Sequence, residues 1–384
     1  MIRSLYILGN HIQALGIARM ADRINLKVTL FSDYGASITR FSKSCHSFIR
    51  FRDEVHLYEL LSTMNAGEEK PVLVPTNDRW VFFLSQHYKA FSDKYFLSIP
   101  ETDILDICFN KRLTYQTGKM LGIPVPESHF PDSFEDLAGI AEKISYPVLI
   151  KPAVMYTFYA KTGKKVYVCK NPTELAGKYK EALKYIPVHE IIIQEFLSGG
   201  AKNLYSFGSF TVNGTPYGSF TANRIRQKPM DFGLSTTYAK TVIMPELDNL
   251  AIKMLQGIKY TGISEVEFMY DESTKSFKLL EINPRTWKWH SLANIIGLNL
   301  VEKMIQNMQG EIPEYFTNKQ EGLAWVERIT DTWVFITEFL KGRMGINEYM
   351  NSMRVKKESA TWSKTDPWPA IFYVLLTPYL IFKR

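Results

Sequence analysis

Cysteine is scarce in this 384-residue sequence, which contains only Cys45, Cys108 and Cys169. Three cysteines so far apart cannot build a disulfide framework, and none has the CxxC spacing of a structural zinc site. Disulfide-poor chains are typical of reducing compartments. We therefore predict a cytoplasmic protein without structural disulfides or zinc.

Long apolar runs are also missing. No stretch reaches 18 uninterrupted apolar residues, so the sequence predicts no ordinary transmembrane helix. The apolar N-terminal segment is interrupted by Asn10, His11 and Gln13, and no small-residue cleavage site follows it. We therefore expect no signal peptide.

Neither sign of charge dominates. The chain has 46 Lys and Arg against 39 Asp and Glu, a formal net charge of +7. The basic residues are spread along the chain without a helix-turn-helix or RNA-binding signature, so we expect no nucleic-acid partner. The excess is better explained by a site for polyanionic phosphates or by a basic surface facing anionic lipid.

Predicted strands and helices alternate in the first hundred residues. SLYILG, KVTLFS and PVLVPT predict strands, and apolar residues at helical spacing between Ile12 and Met20 predict a helix. Such alternation with short links predicts a parallel sheet with right-handed crossovers. Gly9 and Gly16 do not have the GxGxxG spacing of a dinucleotide site. We interpret Gly9 as permitting a tight strand-to-helix turn.

A predicted hairpin, SEVEFMY and FKLLEINPR around the turn DESTKS, carries acidic residues at a repeating spacing. With the turn centred near Thr274, Glu267 lies opposite Glu281. In the same register, Glu265 lies opposite Asn283. Residues two apart share a strand face, so these four side chains project from one side. The other, buried face then holds Val266, Phe268, Leu280 and Ile282.

Directly opposed carboxylates have Cβ atoms roughly 4.5–5.5 Å apart and repel each other. They need a compensating cation, and oxygen ligands of this kind favour Mg²⁺, which takes one or two carboxylates together with phosphates and water. The alternative is that the glutamates lie on the solvent face of an ordinary hairpin.

Three further segments allow two interpretations each. Lys151 ends the apolar strand of YPVLIKP, where it either points into a cleft as a phosphate ligand or lies at an exposed strand edge. The segment QEFL at 194–197 either presents backbone groups to an adenine edge or simply ends a strand. Arg224 and Arg226 share a strand face, either for polyphosphate or as exposed basic residues.

Over about residues 1–310, the order and spacing of these segments resemble the ATP-grasp superfamily. Asn110-Lys111 followed by GIPVPE resembles its first ATP lysine, YPVLIKP its second, QEFLSGG its adenine hinge, and EVEF with LLEINPR its metal carboxylates. The resemblance implies ATP as a substrate and Mg²⁺ or Mn²⁺ as the metal. The ATP-binding residues it implies are Lys111, Lys151, Gln194, Glu195, Leu197 and Arg224. The metal ligands are Glu267, Glu281 and Asn283, and the catalytic residues are Arg285, Arg226 and Lys151.

The resemblance also predicts the fold and the domains. We expect an α/β and α+β chain whose parallel-sheet domain, residues 1–108, precedes an ATP-grasp domain at 109–310. Within the latter, a lid at about 110–200 covers an antiparallel catalytic sheet at about 201–310. Residues 311–384 are predicted to be a helical extension.

Three segments, NLYSFGSF, SFTANRIRQKPMDFG and EINPRTWKW, look similar to the carboxylate–amine ligase branch that contains the D-aspartate ligases. This implies that a small-molecule carboxylate is activated as an acyl phosphate and joined to an amine, with release of ADP and phosphate. A cell-envelope or amino-acid-derived substrate fits that branch. The loop AVMYTFYAKTGKK is aromatic and basic where many relatives have a Gly-rich flap, so the substrate is not carried over. An ATP-grasp carboxylase, an acyl-phosphate-forming phosphotransferase and a non-catalytic nucleotide-binding scaffold are the alternatives.

The C-terminal sequence DPWPAIFYVLLTPYLIFKR is strongly apolar. As a helix its apolar part reaches about 20 Å, short of a bilayer core of roughly 30 Å. It either packs onto the catalytic domain as a cap or lies at a membrane interface. In the second case Trp368, Tyr373 and Tyr379 sit at headgroup depth, with Lys383 and Arg384 facing anionic lipid. The protein would then be peripheral at the inner membrane face, near a lipid-linked acceptor.

Overall fold

The structure is a computed structural model that describes residues 1–10, 12–64, 69–231, 233 and 235–382. The described strands form a five-stranded, a four-stranded and an eight-stranded sheet. The first is parallel, the second antiparallel and the third mostly antiparallel, with helices throughout. This layout confirms the predicted fold class.

The parallel sheet is built from the first hundred residues, in the order β3-β2-β1-β4-β5. Its strands are β1 (Ser4–Leu8), β2 (Lys27–Ser32), β3 (Ser47–Arg50), β4 (Val72–Pro75) and β5 (Phe96–Leu97). Its helices are α1 (Ile12–Asp22), α2 (Glu54–Thr63), α3 (Asp78–Gln86) and α4 (Tyr88–Ser92). The three strands and the helix predicted from apolar periodicity are confirmed.

Gly9 makes the tight turn between β1 and α1. Its φ is +124°, a value that favours glycine. A Cβ at this position would lie 1.9 Å from Oγ1 of Thr76, at the end of β4. The residue is therefore a steric requirement of the turn, as interpreted from the sequence.

Two helices, α5 (Thr102–Phe109) and α6 (Lys111–Met120), lead into the second sheet. Asn110 caps α6, because its side chain accepts a hydrogen bond from the N–H of Arg112 at 3.0 Å. The four-stranded lid sheet has the order β6-β9-β7-β8. Its strands are β6 (Ser128–His129), β7 (Val148–Pro152), β8 (Tyr167–Cys169) and β9 (Ile191–Glu195), and its helices are α7 (Asp136–Ala141), α8 (Met155–Thr162) and α9 (Pro172–Ala182).

The central sheet has the order β14-β13-β10-β11-β12-β16-β17. Its long strands are β10 (Leu204–Val212), β11 (Thr215–Lys228), β12 (Ser235–Val242), β13 (Gly262–Asp271) and β14 (Ser276–Asn283). The helices between and after them are α10 (Pro245–Gly257), α11 (Ala293–Ile296) and α12 (Leu300–Met308).

The C-terminal region contains the expected helices, α13 (Arg328–Leu340), α14 (Ile346–Ser352) and α15 (Trp368–Phe382). It also contributes three short strands to the central sheet, β15 (Phe316–Thr317), β16 (Ala324–Val326) and β17 (Lys357–Ser359). Strand β16 pairs with β12, and β15 pairs with β11. The region is thus part of the sheet that carries the site. Among the described helices, none is long and apolar enough to cross a membrane.

One hydrophobic cluster joins the parallel sheet to the central sheet. Leu15 and Ile17 of α1 share this core with Trp287, Val301 and Met304. All five are buried, so the parallel-sheet region and the central-sheet region share one core. The candidate site lies along this contact between the two regions.

Candidate active site

The predicted carboxylates lie on the paired strands β13 and β14. Glu267 is the register partner of Glu281, and Glu265 is the partner of Asn283. The predicted register is therefore confirmed on this side of the hairpin. The four side chains line a cleft together, as their shared strand face requires.

The register shifts by one residue between Glu267 and Phe268, where Phe268 pairs with Leu279. Such a bulge places one extra residue in one strand and turns its side chain to the other face. The expectation that Leu280 faces the core is wrong for this reason. Leu279 occupies the core position, and Leu280 lines the cleft.

Each opposed carboxylate has a cationic partner. Lys111 Nζ lies 3.0 Å from Glu281 Oε2, and the guanidinium of Arg224 donates to Glu267. Burial alone raises the pKa of both carboxyl groups. The charges of Lys111 and Lys165 overcome this effect and hold the pKa of Glu281 well below its usual range, whereas the pKa of Glu267 remains raised.

Asn283 bridges two glutamates of β13. Its Nδ2 donates to Glu265 Oε2 at 3.0 Å and to Glu267 Oε1 at 3.1 Å. The other oxygen of Glu265, Oε1, is buried and has no hydrogen-bond partner among the described residues. Burial, reinforced by the charge of Glu267, raises the pKa of Glu265 well above the usual carboxyl value. Glu265 thus places a buried, unpaired carboxyl oxygen beside the predicted metal residues.

The donor set fits magnesium. Within the described part of the chain, no group of three or more His, Cys, Asp or Glu side chains is arranged to hold a metal ion. Glu267, Glu281 and Asn283 offer two carboxylates and an amide oxygen. That number suits Mg²⁺, which completes its shell with water and substrate phosphates instead of with a full protein cage.

Lys151 is the penultimate residue of β7 and is buried. Its Nζ donates to the hydroxyl of Tyr115 at 2.7 Å, and that hydroxyl donates in turn to the carbonyl of Leu280 at 3.0 Å. Burial, together with the nearby charge of Lys111, lowers the pKa of Lys151 well below that of an ordinary lysine. Lys151 therefore points into the cleft, and the exposed-edge alternative is wrong.

The predicted hinge, residues 194–197, spans the end of β9. Gln194 and Leu197 line the cleft, together with Glu195. The Glu195 side chain receives a hydrogen bond from Lys278 Nζ at 2.5 Å, and its backbone N–H donates to the carbonyl of Glu127 at 2.9 Å. The N–H of Glu195 is thus engaged within the sheet. Leu197 lies beyond the end of β9, where no strand pairing occupies its backbone.

The structure places Arg226 away from the cleft, in contrast to the prediction of a phosphate or catalytic role. Its guanidinium donates to both carboxylate oxygens of Asp331 on α13, each at 2.8 Å, and lies 4.0 Å from the ring centroid of Tyr238. The register of β11 against β12 shifts on both sides of this residue. Arg224 and Arg226 consequently contact different groups, although they are two residues apart.

Arg285 links the central sheet to the parallel-sheet region. Its Nε donates to Asp78 Oδ1 of α3 at 2.5 Å, and its Nη2 donates to Asn283 Oδ1 at 3.2 Å. Burial alone lowers the pKa of a guanidinium, but the charge of Asp78 raises that of Arg285 above its usual value. Arg285 is therefore oriented from both sides and stays cationic.

Sequence reasoning missed two lysines in the cleft. Lys165 Nζ donates to the carbonyl of Gly233 at 2.9 Å, across the cleft from the lid sheet, and burial lowers its pKa. Lys288 Nζ donates to Ser235 Oγ at 2.7 Å and lies 3.4 Å from Glu327. In the sequence, the basic loop TGKK, which contains Lys165, and the segment TWKW, which contains Lys288, could have indicated these two residues.

The cleft consists of two compartments. The apolar compartment, about 530 Å³, lies between the lid sheet and the central sheet and is lined by Leu149, Lys151, Gln194, Leu197, Met269 and Leu280. The aromatic compartment, about 360 Å³, reaches α3 and is lined by Asp78, Phe82, Phe109, Arg285, Trp287, Lys288 and Trp289. Both volumes are typical of ligand pockets. Five residues line both compartments, and we call them the charged junction: Lys111, Lys165, Arg224, Glu267 and Glu281.

Similar sequences are synthases of carbamoyl phosphate. A family model described as the ATP-binding domain of the carbamoyl-phosphate synthase L chain matches residues 235–313. The arginine-specific large chain of carbamoyl phosphate synthase from Geobacillus stearothermophilus is 27% identical over 184 residues, which are 45% of this chain and 17% of that protein. The C-terminal section of the large chain from Methanopyrus kandleri is 27% identical over 203 residues, 51% of this chain and 36% of that protein. The matches thus span roughly a sixth to a third of these relatives.

Three solved structures are similar over most of the chain. N5-carboxyaminoimidazole synthetase from Staphylococcus aureus with ADP has a TM-score of 0.65 at 17% identity, covering 88% of this chain and 86% of that one. The biotin carboxylase domain of 2-oxoglutarate carboxylase from Hydrogenobacter thermophilus, with MgADP and bicarbonate, has a TM-score of 0.65 at 16% identity, covering 83% and 72%. L-amino acid ligase from Bacillus licheniformis has a TM-score of 0.58 at 16% identity, covering 79% and 73%.

The chain has the ATP-grasp fold. The family match covers β12 to α12, which include the hairpin that carries the predicted metal ligands. In this fold the lid sheet and the central sheet enclose the apolar compartment from two sides. The narrower resemblance to the D-aspartate ligases stays a prediction.

Proposed function

We propose that this chain is an ATP-dependent carboxylate–amine ligase. The observation that carries the proposal is the charged junction between the two compartments. ATP binds with its base in the apolar compartment and its γ-phosphate at the junction. The acceptor carboxylate binds in the aromatic compartment, so the two reacting groups meet where Lys111, Lys165 and Arg224 lie.

The first step is phosphoryl transfer to the substrate carboxylate. A carboxylate oxygen attacks the γ-phosphorus, and the bond to the β–γ bridging oxygen breaks, so that ADP and an acyl phosphate result. Lys111 and Lys151 bind phosphate oxygens, and their charge offsets the repulsion between two anions. When bound by Glu267, Glu281 and Asn283, Mg²⁺ supplies further positive charge against the polyphosphate.

The second step forms the amide. The amine nitrogen attacks the acyl carbon, the bond to the phosphate oxygen breaks with its electron pair, and the nitrogen loses a proton. Arg285 lies in the aromatic compartment and, held by Asp78, stabilises the negative charge that develops on the acyl oxygen. The lid sheet covers the cleft and excludes water, which would hydrolyse the acyl phosphate.

Carboxylases and an amide-forming ligase share this fold, so the test must separate them. Purified protein is mixed with ATP, Mg²⁺ and a panel of amino acids, dipeptides and amino sugars, while ADP release is followed and products are weighed by mass spectrometry. We expect ADP release that requires both a carboxylate and an amine, with a product equal to their sum minus water.

Two results would contradict the ligase. ADP release that depends on bicarbonate and not on an amine would indicate a carboxylase. Tight nucleotide binding without any ADP release across the panel would indicate a scaffold. The Glu267→Gln variant serves as the inactive control, since it removes one predicted metal carboxylate.

A further inference from the structure

Over the part of the C-terminal helix α15 whose side chains are described, residues 368–377, one apolar face packs on the protein and another is exposed. On the inner face, Phe372 stacks on Phe41 with ring centroids 3.7 Å apart. Tyr373 and Leu376 pack against the core cluster shared with α1. The outer face is equally apolar but exposed, with side chains between 40% and 66% accessible: Trp368, Ile371, Val374 and Leu375.

These four residues form a continuous surface, which we call the outer face of α15. Their spacing, three or four residues apart, places them on one side of the helix. The helix has 15 residues, about 22 Å, and does not reach across a bilayer core of roughly 30 Å. Scattered exposed apolar side chains are normal, but a contiguous row on one helix indicates an interaction surface.

The C-terminal region that contains this helix carries a positive net charge. Residues 328–384 contain nine Lys and Arg against five Asp and Glu. Two of the five acids are buried in ion pairs with residues outside this region, Asp331 with Arg226 and Asp366 with Arg19, and Glu338 is buried in a pair with Arg343 of the same region. The charge presented to solvent is therefore more positive than the sequence count suggests.

Basic side chains from two parts of the chain flank α15. Arg40 is exposed and lies 5.4 Å from the ring of Phe41, which stacks on the helix. The exposed Lys43 is placed by its backbone N–H, which donates to Asp366 at 3.1 Å, and the exposed Lys364 precedes the helix. Lys383 and Arg384 follow it in sequence but lie outside the described residues, as does the side chain of Tyr379.

We infer that the outer face of α15 binds an anionic lipid bilayer, with the helix axis in the plane of the interface. An apolar face rimmed by basic residues matches the chemistry of a headgroup–acyl boundary, and Trp368 suits headgroup depth. A second copy of the chain would bring the same positive charge to the contact and would be repelled. The inference concerns location and does not depend on the proposed reaction.

The test is co-sedimentation of the full-length protein with vesicles of phosphatidylcholine alone or mixed equally with phosphatidylglycerol. We expect binding to the anionic vesicles at low salt and release at high salt. Each neutralised basic residue should weaken binding about fivefold. A charge variant neutralises three positions: Arg40→Gln, Lys43→Gln and Lys364→Gln. An outer-face variant replaces three apolar residues: Trp368→Ser, Val374→Ser and Leu375→Ser.

The matched control changes an equally exposed apolar row on α13: Trp333→Ser, Ile336→Ser and Leu340→Ser. We expect the outer-face variant to lose binding at least tenfold and the α13 variant to keep it, with both melting near the wild type because the residues are exposed. The inference is overturned if the full-length protein stays in the supernatant, or if both variants lose binding equally. It is also overturned if the outer-face variant changes from dimer to monomer while its lipid binding is unchanged.

Discussion

Replacing Glu281 by Gln tests the electrostatics of the charged junction most directly. Glu281 lies 3.0 Å from Lys111, and the charges of Lys111, Lys151 and Lys165 all act near it. At an effective dielectric constant of about 20, one ion pair at this distance contributes about 5 kcal/mol before desolvation. Glu281 is 29% exposed, so solvent and the cost of burial reduce the net value. We expect the variant to lose about 1–2 kcal/mol without nucleotide.

The sequence alone predicts no loss of stability for the Glu281→Gln variant. An opposed pair of carboxylates repels, and removal of one charge should leave stability unchanged or raise it. In the structure, however, Glu267 keeps its own partner Arg224, so relief of repulsion recovers little. The loss of Glu281 instead leaves clustered lysines without their shared counter-ion.

The assay is thermal unfolding of the protein without nucleotide, at low salt. With an unfolding entropy of about 2.1 cal/mol/K per residue, a loss of 1–2 kcal/mol lowers Tm by about 2 °C. The control is Glu348→Gln, which breaks an exposed pair with Lys202 at 3.5 Å and should change stability by less than about 0.5 kcal/mol. ADP release by the Glu281→Gln variant should fall at least about 100-fold, because a carboxylate predicted to bind the metal is lost.

The destabilisation caused by Glu281→Gln should be lost at low pH. The folded-state pKa of Glu281 lies below the unfolded value, so its contribution is complete above the unfolded pKa near 4 and is lost as pH falls below it. The stability difference between wild type and variant should therefore narrow below about pH 4. A variant as stable as the wild type at pH 7 would refute the counter-ion role, and near-normal ADP release would refute the metal assignment.

Three other substitutions probe neighbouring contacts. Lys151→Met should weaken ATP binding about tenfold. Because the folded-state pKa of Lys151 is lowered, the stability of the wild type should rise more steeply than that of the variant as the pH increases toward 10. Equal slopes in pH-dependent unfolding would contradict this expectation. Asp78→Asn should lower kcat about tenfold with little change in the KM for ATP, because it frees Arg285, which lies in the aromatic compartment. A change in the KM for ATP alone would contradict the placement of Arg285 away from the nucleotide. Arg226→Met should lower the free energy of unfolding by about 3–5 kcal/mol, because it leaves Asp331 buried without its cationic partner. The added change Asp331→Leu should recover much of this loss in denaturant unfolding. ADP release per folded molecule should be retained in both variants.

The hairpin shows both what alternation predicts and where it fails. The pairing of Glu267 with Glu281 follows from a symmetric turn and the two-residue period of a strand. The bulge beside it does not, because Leu279 and Leu280 are chemically identical and nothing in the sequence marks the extra residue. Arg226 fails for the same physical reason, since the rule that residues two apart share a face requires a regular pleat.

Contacts between distant segments are the other limit. Asp78 begins α3 of the parallel-sheet region, and Lys165 belongs to the lid, yet both line the same cleft as the hairpin. No periodicity within either segment indicates where the other segments pack. The strands of the C-terminal region are two or three residues long, which is too short for alternation to be recognised.

If the charged junction binds a polyanion, as proposed, its internal ion pairs explain why it is stable without one. Lys111 and Arg224 are paired with Glu281 and Glu267, the two residues predicted to hold the metal. Under the proposed function, a bound nucleotide would draw the basic residues from their carboxylate partners to phosphate oxygens, and both glutamates would lose their compensating charge. A cation held by the glutamates would restore the balance. The proposal therefore predicts that nucleotide and metal binding are coupled through the same two ion pairs.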